Sequence, residues 1–165
     1  MKLLFLDMDG VINKGSDNAK PDRHKYSDRW SNPADRFDLY YVDPILAASV
    51  SKLVLDFDLK IVSTSTWRCG KTVEDFRELL SNRFLPGEKL VGFTPNGEAD
   101  GMTRADEIRY YLLNCGFTVE RYVILDDEIK ANYSTKSGRF FQTSFYKGYT
   151  DAIDREVRMF LEEAK

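Results

Sequence analysis

Short apolar segments alternate with helix-like segments along this chain. The apolar segments are rich in Leu, Ile, Val and Phe, as buried strands of a parallel sheet are, and they occupy residues 2–7, 59–65, 89–93, 121–127 and 139–144. The helix-like segments occupy residues 43–57, 72–84, 103–116 and 149–164. Strands that alternate with helices favour a doubly wound α/β fold of the Rossmann type, with a mainly parallel sheet.

One long polar segment, residues 14–41, follows the first predicted strand directly. Loops of this length inside a compact domain are usually functional lids or disordered segments. Because ligands bind at the carboxyl ends of the strands in open α/β sheets, a loop at this place favours the lid. A chain of 165 residues is long enough to bury a core of its own. We therefore predict one domain over residues 1–165 with a minimal cap at 14–41.

Composition excludes some classes of protein and favours a location. The formal net charge of −3 gives no overall basic footprint for nucleic acid. The two cysteines, Cys69 and Cys115, provide neither a disulfide framework nor a zinc ligand set, which favours a reducing compartment. No stretch approaches the roughly 20 apolar residues that span a membrane. The expected location is the cytoplasm, without membrane association.

Two pairs of carboxylates stand where apolar strands end. Asp7 and Asp9 are two residues apart, so on an extended segment their side chains point the same way. Asp126 and Asp127 end the fourth apolar segment. If the two strands are neighbours, these carboxylates converge and repel one another. A hard divalent cation such as Mg²⁺, which prefers oxygen ligands, resolves that repulsion. The sequence therefore predicts a magnesium site.

Simpler interpretations exist for each of these features taken alone. An aspartate after a strand is often a turn residue or a helix cap, and the dipeptide Asp-Gly is a common turn signal. The hydroxyl residues 63–66 that follow the second strand can hold phosphate oxygens, but they could also be an ordinary cap cluster. The coincidence of both aspartate pairs with this hydroxyl-rich strand end favours a phosphate and metal site.

Three segments, in this order, resemble known motifs. "FLDMDGVIN", "IVSTSTWR" and "YVILDD" are similar to motifs I, II and IV of the haloacid dehalogenase (HAD) superfamily of phosphohydrolases, and the resemblance covers nearly the whole chain. "STSTWR" together with "FFQTSFYKGYT" further resembles the small HAD domains of predicted Swiss Army knife RNA-repair proteins.

The resemblance assigns roles to the residues that match. It implies that Asp7 is the nucleophile that forms an aspartyl-phosphate, and that Asp9 is the general acid and base. It also implies that Mg²⁺ is bound by Asp7, by the backbone carbonyl of Asp9, and by Asp126 and Asp127. Which aspartate of the last pair binds the metal directly stays open.

Phosphate-binding residues are assigned in the same way. Thr64 matches the hydroxyl of motif II that binds the transferring phosphoryl group, with Ser65 as a neighbouring alternative. The cation of motif III usually lies at the start of the helix before the motif IV strand, where Arg104 stands, and Arg68 and Lys71 are the alternatives. Arg68 could instead contact substrate, and Gly10 of the first motif completes the predicted substrate-binding set.

The predicted function is that of a Mg²⁺-dependent phosphatase with an aspartyl-phosphate intermediate. A small cap leaves the site open to large substrates, so the first choice is a phosphate monoester on an RNA or DNA end or on a nucleotide. Lid residues could help to bind a strand, with stacking and charged contacts from Arg23, Lys25, Tyr26, Arg29 and Trp30. The alternatives are a small-molecule phosphatase, for example a 5'-nucleotidase, and a non-catalytic phosphate-binding or scaffolding domain.

Overall fold

The computed structural model describes residues 1–14, 42–97 and 100–163. Apart from Lys14, the predicted lid lies outside the described residues, and so do the contacts that we predicted for its basic and aromatic side chains. No helix in these three ranges is long and apolar enough to cross a membrane.

The predicted sheet is confirmed. Its five parallel strands are arranged in the order β3-β2-β1-β4-β5, and they comprise β1 (Lys2–Leu6), β2 (Lys60–Ser63), β3 (Leu90–Phe93), β4 (Arg121–Asp126) and β5 (Gly138–Gln142). The chain proceeds outward from β1 to β3 and then returns to the other side of β1 to form β4. This reversal between β1 and β4 is a topological switch point, where the carboxyl ends of the strands leave a crevice for ligands.

Each predicted helix is present, but each begins later and ends earlier than the sequence pattern indicates. The four helices are α1 (Pro44–Asp56), α2 (Val73–Ser81), α3 (Arg104–Asn114) and α4 (Asp151–Glu162). Asp43 caps α1, and Thr103 forms a capping box with Asp106 at the start of α3. The α2 helix ends three residues before the predicted end because Phe84 takes a left-handed conformation, with φ of 65°.

The sheet is buried on both faces. In β1, Leu4 and Leu6 pack into a core cluster that includes side chains of α1, α2 and α4. Leu3 and Phe5 pack into a second cluster on the other face, together with α3. Because successive side chains of a strand alternate between faces, this double burial explains why β1 is a continuous apolar run. It also holds the end of β1 in a fixed place, and the next residue is Asp7.

Candidate active site at the carboxyl edge of the sheet

Three carboxylates meet at the switch point. Since Leu6 of β1 lies beside Leu125 of β4, the residues that follow them are neighbours, and the amide of Asp7 donates to the carbonyl of Leu125 at 3.0 Å. One carboxylate oxygen each from Asp7, Asp126 and Asp127 lies within 4.8 Å of the other two. The sheet register thus places these side chains together before any ligand is considered.

The electrostatic cost of this cluster is visible in its pKa values. Burial, together with the nearby charge of Asp126, raises the pKa of Asp7 to about 7, although Arg104 acts against the rise. Burial also raises the pKa of Asp126 to about 6, against a hydrogen bond from the amide of Glu128. In both cases the charged form is disfavoured because it has left water and faces like charge.

The donor set fits a hard cation. All three ligand atoms are carboxylate oxygens, which Mg²⁺ prefers over nitrogen and sulfur. Oδ2 of Asp126 is buried without a hydrogen-bond partner in the described part of the chain. A buried carboxylate oxygen in that situation is costly, and a bound cation would satisfy it. The residues present therefore fit the predicted metal.

Gly10 makes room for this cluster. Its φ is +74°, in the left-handed region, and a Cβ atom at this position would lie 2.6 Å from both Cγ and Oδ2 of Asp127. Its amide donates to Oδ1 of Asn13 at 3.0 Å, so that donor is engaged within the protein. The geometry supports a packing role for Gly10 beside Asp127 more directly than the predicted contact with substrate.

Asp9 is held apart from the three clustered carboxylates by two neighbours. Its Oδ1 accepts a hydrogen bond from Nδ2 of Asn13 at 2.8 Å, and its Oδ2 accepts one from Nε1 of Trp67 at 3.0 Å. Both donors are neutral and fix the orientation of the carboxyl group. Sequence reasoning missed both, although a buried Trp usually needs a partner for its N–H and Asn13 lies only four residues from Asp9.

Two hydroxyl residues after β2, Thr64 and Ser65, differ in whether the side chain has a hydrogen-bond partner within the described residues. The Oγ of Ser65 accepts the amide of Trp67 at 3.3 Å and thereby caps a short 3₁₀ turn, Thr66–Arg68. For Ser65 the ordinary capping interpretation therefore accounts for the side chain. The amide of Thr64 donates to the carbonyl of Leu6 at 3.0 Å, which ties it to β1. Its hydroxyl is buried without a hydrogen-bond partner among the described residues and is the better candidate for a phosphate ligand.

Arg104 is the cation that faces Asp7. It is the first residue of α3, and its Nη1 lies 3.8 Å from Oδ1 of Asp7. Within the described ranges that Nη1 atom is buried and makes no hydrogen bond. A guanidinium beside a buried carboxylate, with a donor unused, is suited to bind a phosphate oxygen. This geometry supports the predicted choice of Arg104 over Arg68 and Lys71 for motif III.

Arg68 is committed to the protein itself. Its guanidinium is buried and donates to the carbonyls of Thr64, Ser65, Thr94 and Pro95. It also forms a buried ion pair with Glu107, with 3.0 Å between Nη2 and Oε2. These bonds join the loop after β2 to the loop after β3. They favour a positioning role for Arg68 over the substrate contact that we predicted, while Lys71 follows the turn and is half-buried.

The buried ion pair of Glu107 could not be predicted from the sequence pattern. The place of Glu107 in the first turn of α3 is that of an ordinary acid that complements the helix dipole. In the structure it is buried and accepts hydrogen bonds from the amide of Gly97 at 3.0 Å and from the hydroxyl of Thr94 at 3.2 Å, in addition to Arg68. Nε of Arg104 also lies 4.0 Å from its Oε2. Glu107 thus links the loop after β3 to the helix that carries Arg104.

Similarity to known proteins agrees with this arrangement. Residues 3–153 match the family described as the HAD domain in Swiss Army Knife RNA repair proteins. The chain belongs to this family. No curated protein and no solved structure shows a significant match. The resemblance noted in the motifs is confirmed over almost the whole chain. Membership in the HAD superfamily supports a phosphatase-type function, and HAD domains generally use Mg²⁺.

Replacement of Gly10 by Ala should destabilise the protein more than a matched replacement elsewhere. Gly116 has nearly the same φ, +73°, but no atom lies within 4 Å of the position that a Cβ would take there. Gly116→Ala should therefore cost only the left-handed strain, about 1–2 kcal/mol. Gly10→Ala adds the overlap with Asp127. Urea unfolding of both variants measures the difference, and equal losses would contradict the close packing of Gly10 against Asp127.

Glu107→Gln should destabilise the protein strongly, because it leaves the buried guanidinium of Arg68 without a counter-charge. Loss of one partner of a buried pair costs about 3–5 kcal/mol. Glu74→Gln is the matched control, since it breaks an ion pair with Arg77 in which Glu74 is 77% exposed; such exposed pairs contribute about 0–1 kcal/mol. Urea unfolding compares the two, and a loss for Glu107→Gln no greater than that of the control would refute the anchoring role.

Proposed function

We propose that this HAD domain is a Mg²⁺-dependent phosphatase that hydrolyses phosphate monoesters of nucleic-acid ends or nucleotides through an aspartyl-phosphate on Asp7. The observation that carries the proposal is the position of Asp7. Asp7 follows the central strand directly. Its carboxylate adjoins two further carboxylates and faces a guanidinium donor at 3.8 Å. The phosphatase-type function of the family supports the same reaction class.

The metal would be held by side chains of Asp7, Asp126 and Asp127, with the backbone carbonyl of Asp9 as the fourth ligand that the family resemblance implies. When bound, Mg²⁺ neutralises charge on the phosphate oxygens and on the carboxylates around them. The side-chain carboxylate of Asp9 is not part of this set, and its two oxygens accept hydrogen bonds from Asn13 and Trp67. Asp9 can therefore act on protons while its neighbours hold the cation.

In the first step a carboxylate oxygen of Asp7 attacks phosphorus. The new bond from Asp7 to phosphorus forms as the bond from phosphorus to the leaving oxygen breaks. The carboxyl group of Asp9 donates its proton to that oxygen, so the product leaves as a neutral alcohol. Covalent catalysis of this kind divides one difficult displacement into two easier ones.

In the second step water completes the hydrolysis. The carboxylate of Asp9 takes a proton from the water as the water oxygen bonds to phosphorus. The bond between phosphorus and Asp7 then breaks, which releases inorganic phosphate and restores the carboxylate of Asp7. Asp9 ends the cycle protonated, ready for the next leaving group.

Arg104 and Thr64 would bind the phosphoryl group during both steps. The unused Nη1 donor of Arg104 lies beside the nucleophile, so it can stabilise charge on the transferring oxygens. The unpartnered hydroxyl of Thr64 can donate to another of these oxygens. Arg68 and Glu107 hold the loop after β2, which carries Thr64, and α3, which carries Arg104. Neither residue need contact the substrate.

Phosphate release from a panel of substrates tests the reaction. We expect Mg²⁺-dependent release of phosphate from oligonucleotides phosphorylated at the 3' or 5' end or from nucleotides. The turnover number of Asp7→Asn should be lower by at least about 1000-fold, because removal of a covalent nucleophile can cost as much as about 10⁶-fold. Circular dichroism checks that the variant is folded.

Three results would contradict this proposal. Near-normal turnover by a folded Asp7→Asn protein would rule out the covalent mechanism. Release of phosphate from sugar phosphates alone would support the small-molecule alternative, and no release from any substrate would favour a non-catalytic phosphate-binding domain.

Mg²⁺ should raise the melting temperature of the protein, because it binds the folded state only. At a concentration about 100-fold above the dissociation constant the gain is about 2.7 kcal/mol, or about 5–10 °C for a chain of this size. Asp126→Asn and Asp127→Asn should each reduce the rise. Asp58→Asn is the control, because Asp58 is exposed and precedes β2, so it lies at the amino ends of the strands, away from the proposed site. An equal rise in all four proteins would refute the metal site.

A further inference from the structure

We propose that the loop of residues 143–148 binds the nucleic-acid strand next to the reacting phosphate. Tyr146 would stack on a base and Lys147 would contact a backbone phosphate. The inference rests on the proposed function and names its substrate class, which is a single-stranded oligonucleotide with a terminal phosphate. The surface lies in the loop that follows β5, and it includes none of the lid residues that the sequence had indicated.

The loop starts beside the carboxylate cluster. In the sheet register Gln142, the last residue of β5, pairs with Asp126. The amide of Thr143 then donates to the carbonyl of Asp126 at 2.9 Å, and Nε2 of Gln142 donates to the carbonyl of Asp127 at 2.9 Å. Two hydrogen bonds therefore join the start of this loop to the backbone of two of the clustered aspartates.

The loop also ends beside the site. The amide of Tyr149 donates to the carbonyl of Val11 at 2.9 Å, one residue after Gly10. Gly148 has a φ of +67°, and a Cβ atom there would lie 2.4 Å from Cδ1 of Leu46 and 2.8 Å from the carbonyl oxygen of Val11. The chain at this point is packed directly against Val11 of the first motif and Leu46 of α1. Both ends of the loop are thus anchored at the carboxyl edge.

Backbone hydrogen bonds close the loop without help from the ring of Tyr146. The carbonyl of Ser144 accepts the amides of Lys147 at 2.9 Å and Gly148 at 2.7 Å. The Oγ of Ser144 accepts the amide of Tyr146 at 3.3 Å. The Tyr146 residue is 73% exposed, and the edge-on contact of its ring with that of Phe145 has centroids 5.5 Å apart. A fixed turn therefore presents an aromatic face to solvent.

An exposed aromatic face with an adjacent cation matches the chemistry of a nucleic-acid strand. A base can stack on Tyr146 whatever its identity, and the exposed ammonium of Lys147 can pair with a phosphate. The other large exposed aromatic residues of the described chain lie elsewhere. Phe84 precedes β3 at the opposite edge, and Tyr110 lies within α3.

Chain geometry limits which base can reach Tyr146. Since consecutive Cα atoms are about 3.8 Å apart, the Cα of Tyr146 lies at most about 11 Å from that of Thr143, which is bonded to Asp126. Stacked nucleotides rise by about 3.4 Å each. Thr143 follows β5, which lies two strand spacings of about 4.8 Å each from β1 and therefore about 10 Å from Asp7. With the terminal phosphate at Asp7, the base on Tyr146 would be one of about the last six of the strand.

Kinetics with two substrate sizes test the proposal. Tyr146→Ala should lower kcat/KM for a phosphorylated single-stranded oligonucleotide about 5- to 150-fold, the range for one stacked base, with a much smaller change for p-nitrophenyl phosphate. Tyr146→Phe keeps the ring and should retain the oligonucleotide activity. Tyr110→Ala, which removes an exposed Tyr remote from the edge, should behave as the wild type. RNA and DNA strands of the same sequence show which of the two is preferred.

Binding is measured separately, so that failure of the reaction and failure of the stacking site are distinguished. In the Asp7→Asn protein, 2-aminopurine placed in turn at each of about the last six positions of the strand should change fluorescence on binding at one position. Tyr146→Ala should abolish that change and Tyr146→Phe should keep it. Lys147→Gln should reduce the salt dependence of binding by about 0.7 in the slope of log K against log salt concentration.

Three outcomes would overturn the stacking site. Equal activity of Tyr146→Ala and wild type on the oligonucleotides, with unchanged fluorescence, overturns the stacking site while leaving the phosphatase proposal intact. An equal fall on p-nitrophenyl phosphate overturns it as well, since the loop would then only support the fold of the site. A phosphopeptide serves as a further substrate. If Tyr146→Ala lowers kcat/KM for the phosphopeptide but not for the oligonucleotides, the stacking site is overturned in favour of a protein substrate.

Discussion

Repulsion among buried carboxylates is the constraint around which this domain is organised. Hydrogen bonds between β1 and β4 bring Asp7 beside Asp126, and burial then raises the pKa of both. A fold that maximised stability alone would place apolar or neutral side chains there. The surrounding groups moderate the cost: Arg104 supplies positive charge, and Gly10 leaves the space that Asp127 occupies. This cluster is where we propose that a cation and a phosphate bind.

A second buried charge pair gives this site its shape. Arg68 donates hydrogen bonds to carbonyls of the loops after β2 and β3. Its positive charge is paired with the carboxylate of Glu107 in α3. Because an arginine has several donors in a fixed plane, one side chain can hold two loops and one helix in register. The same arrangement keeps Arg104, one turn earlier on α3, directed at Asp7. The positions of Arg104 and Thr64, which we propose to bind phosphate, therefore depend on residues that need not contact the substrate.

Sequence reasoning succeeded where the physical signal is local. Apolar runs predicted the strands, and the pair Thr103 and Asp106 indicated the start of α3. It failed where the partner is distant in the chain. Nothing near Asp9 indicates that Trp67, 58 residues away, would donate to it. Nothing near Arg68 indicates its distant acceptors at Thr94, Pro95 and Glu107. The segment 15–41, which the substrate prediction used, lies outside the described residues.

The sequence by itself determined the class of fold, the order of its motifs and the carboxylates of the site, because strand periodicity and residue type are properties of short stretches. Tertiary structure alone decided which groups face one another. Pairing of β1 with β4 placed Asp7 at Asp126, and docking of α3 brought Arg104 to the same point. It also gave Glu107 its buried partner and left Tyr146 exposed beside the site. Such contacts depend on distances between segments that are remote in the chain, and these distances exist only once the sheet has formed.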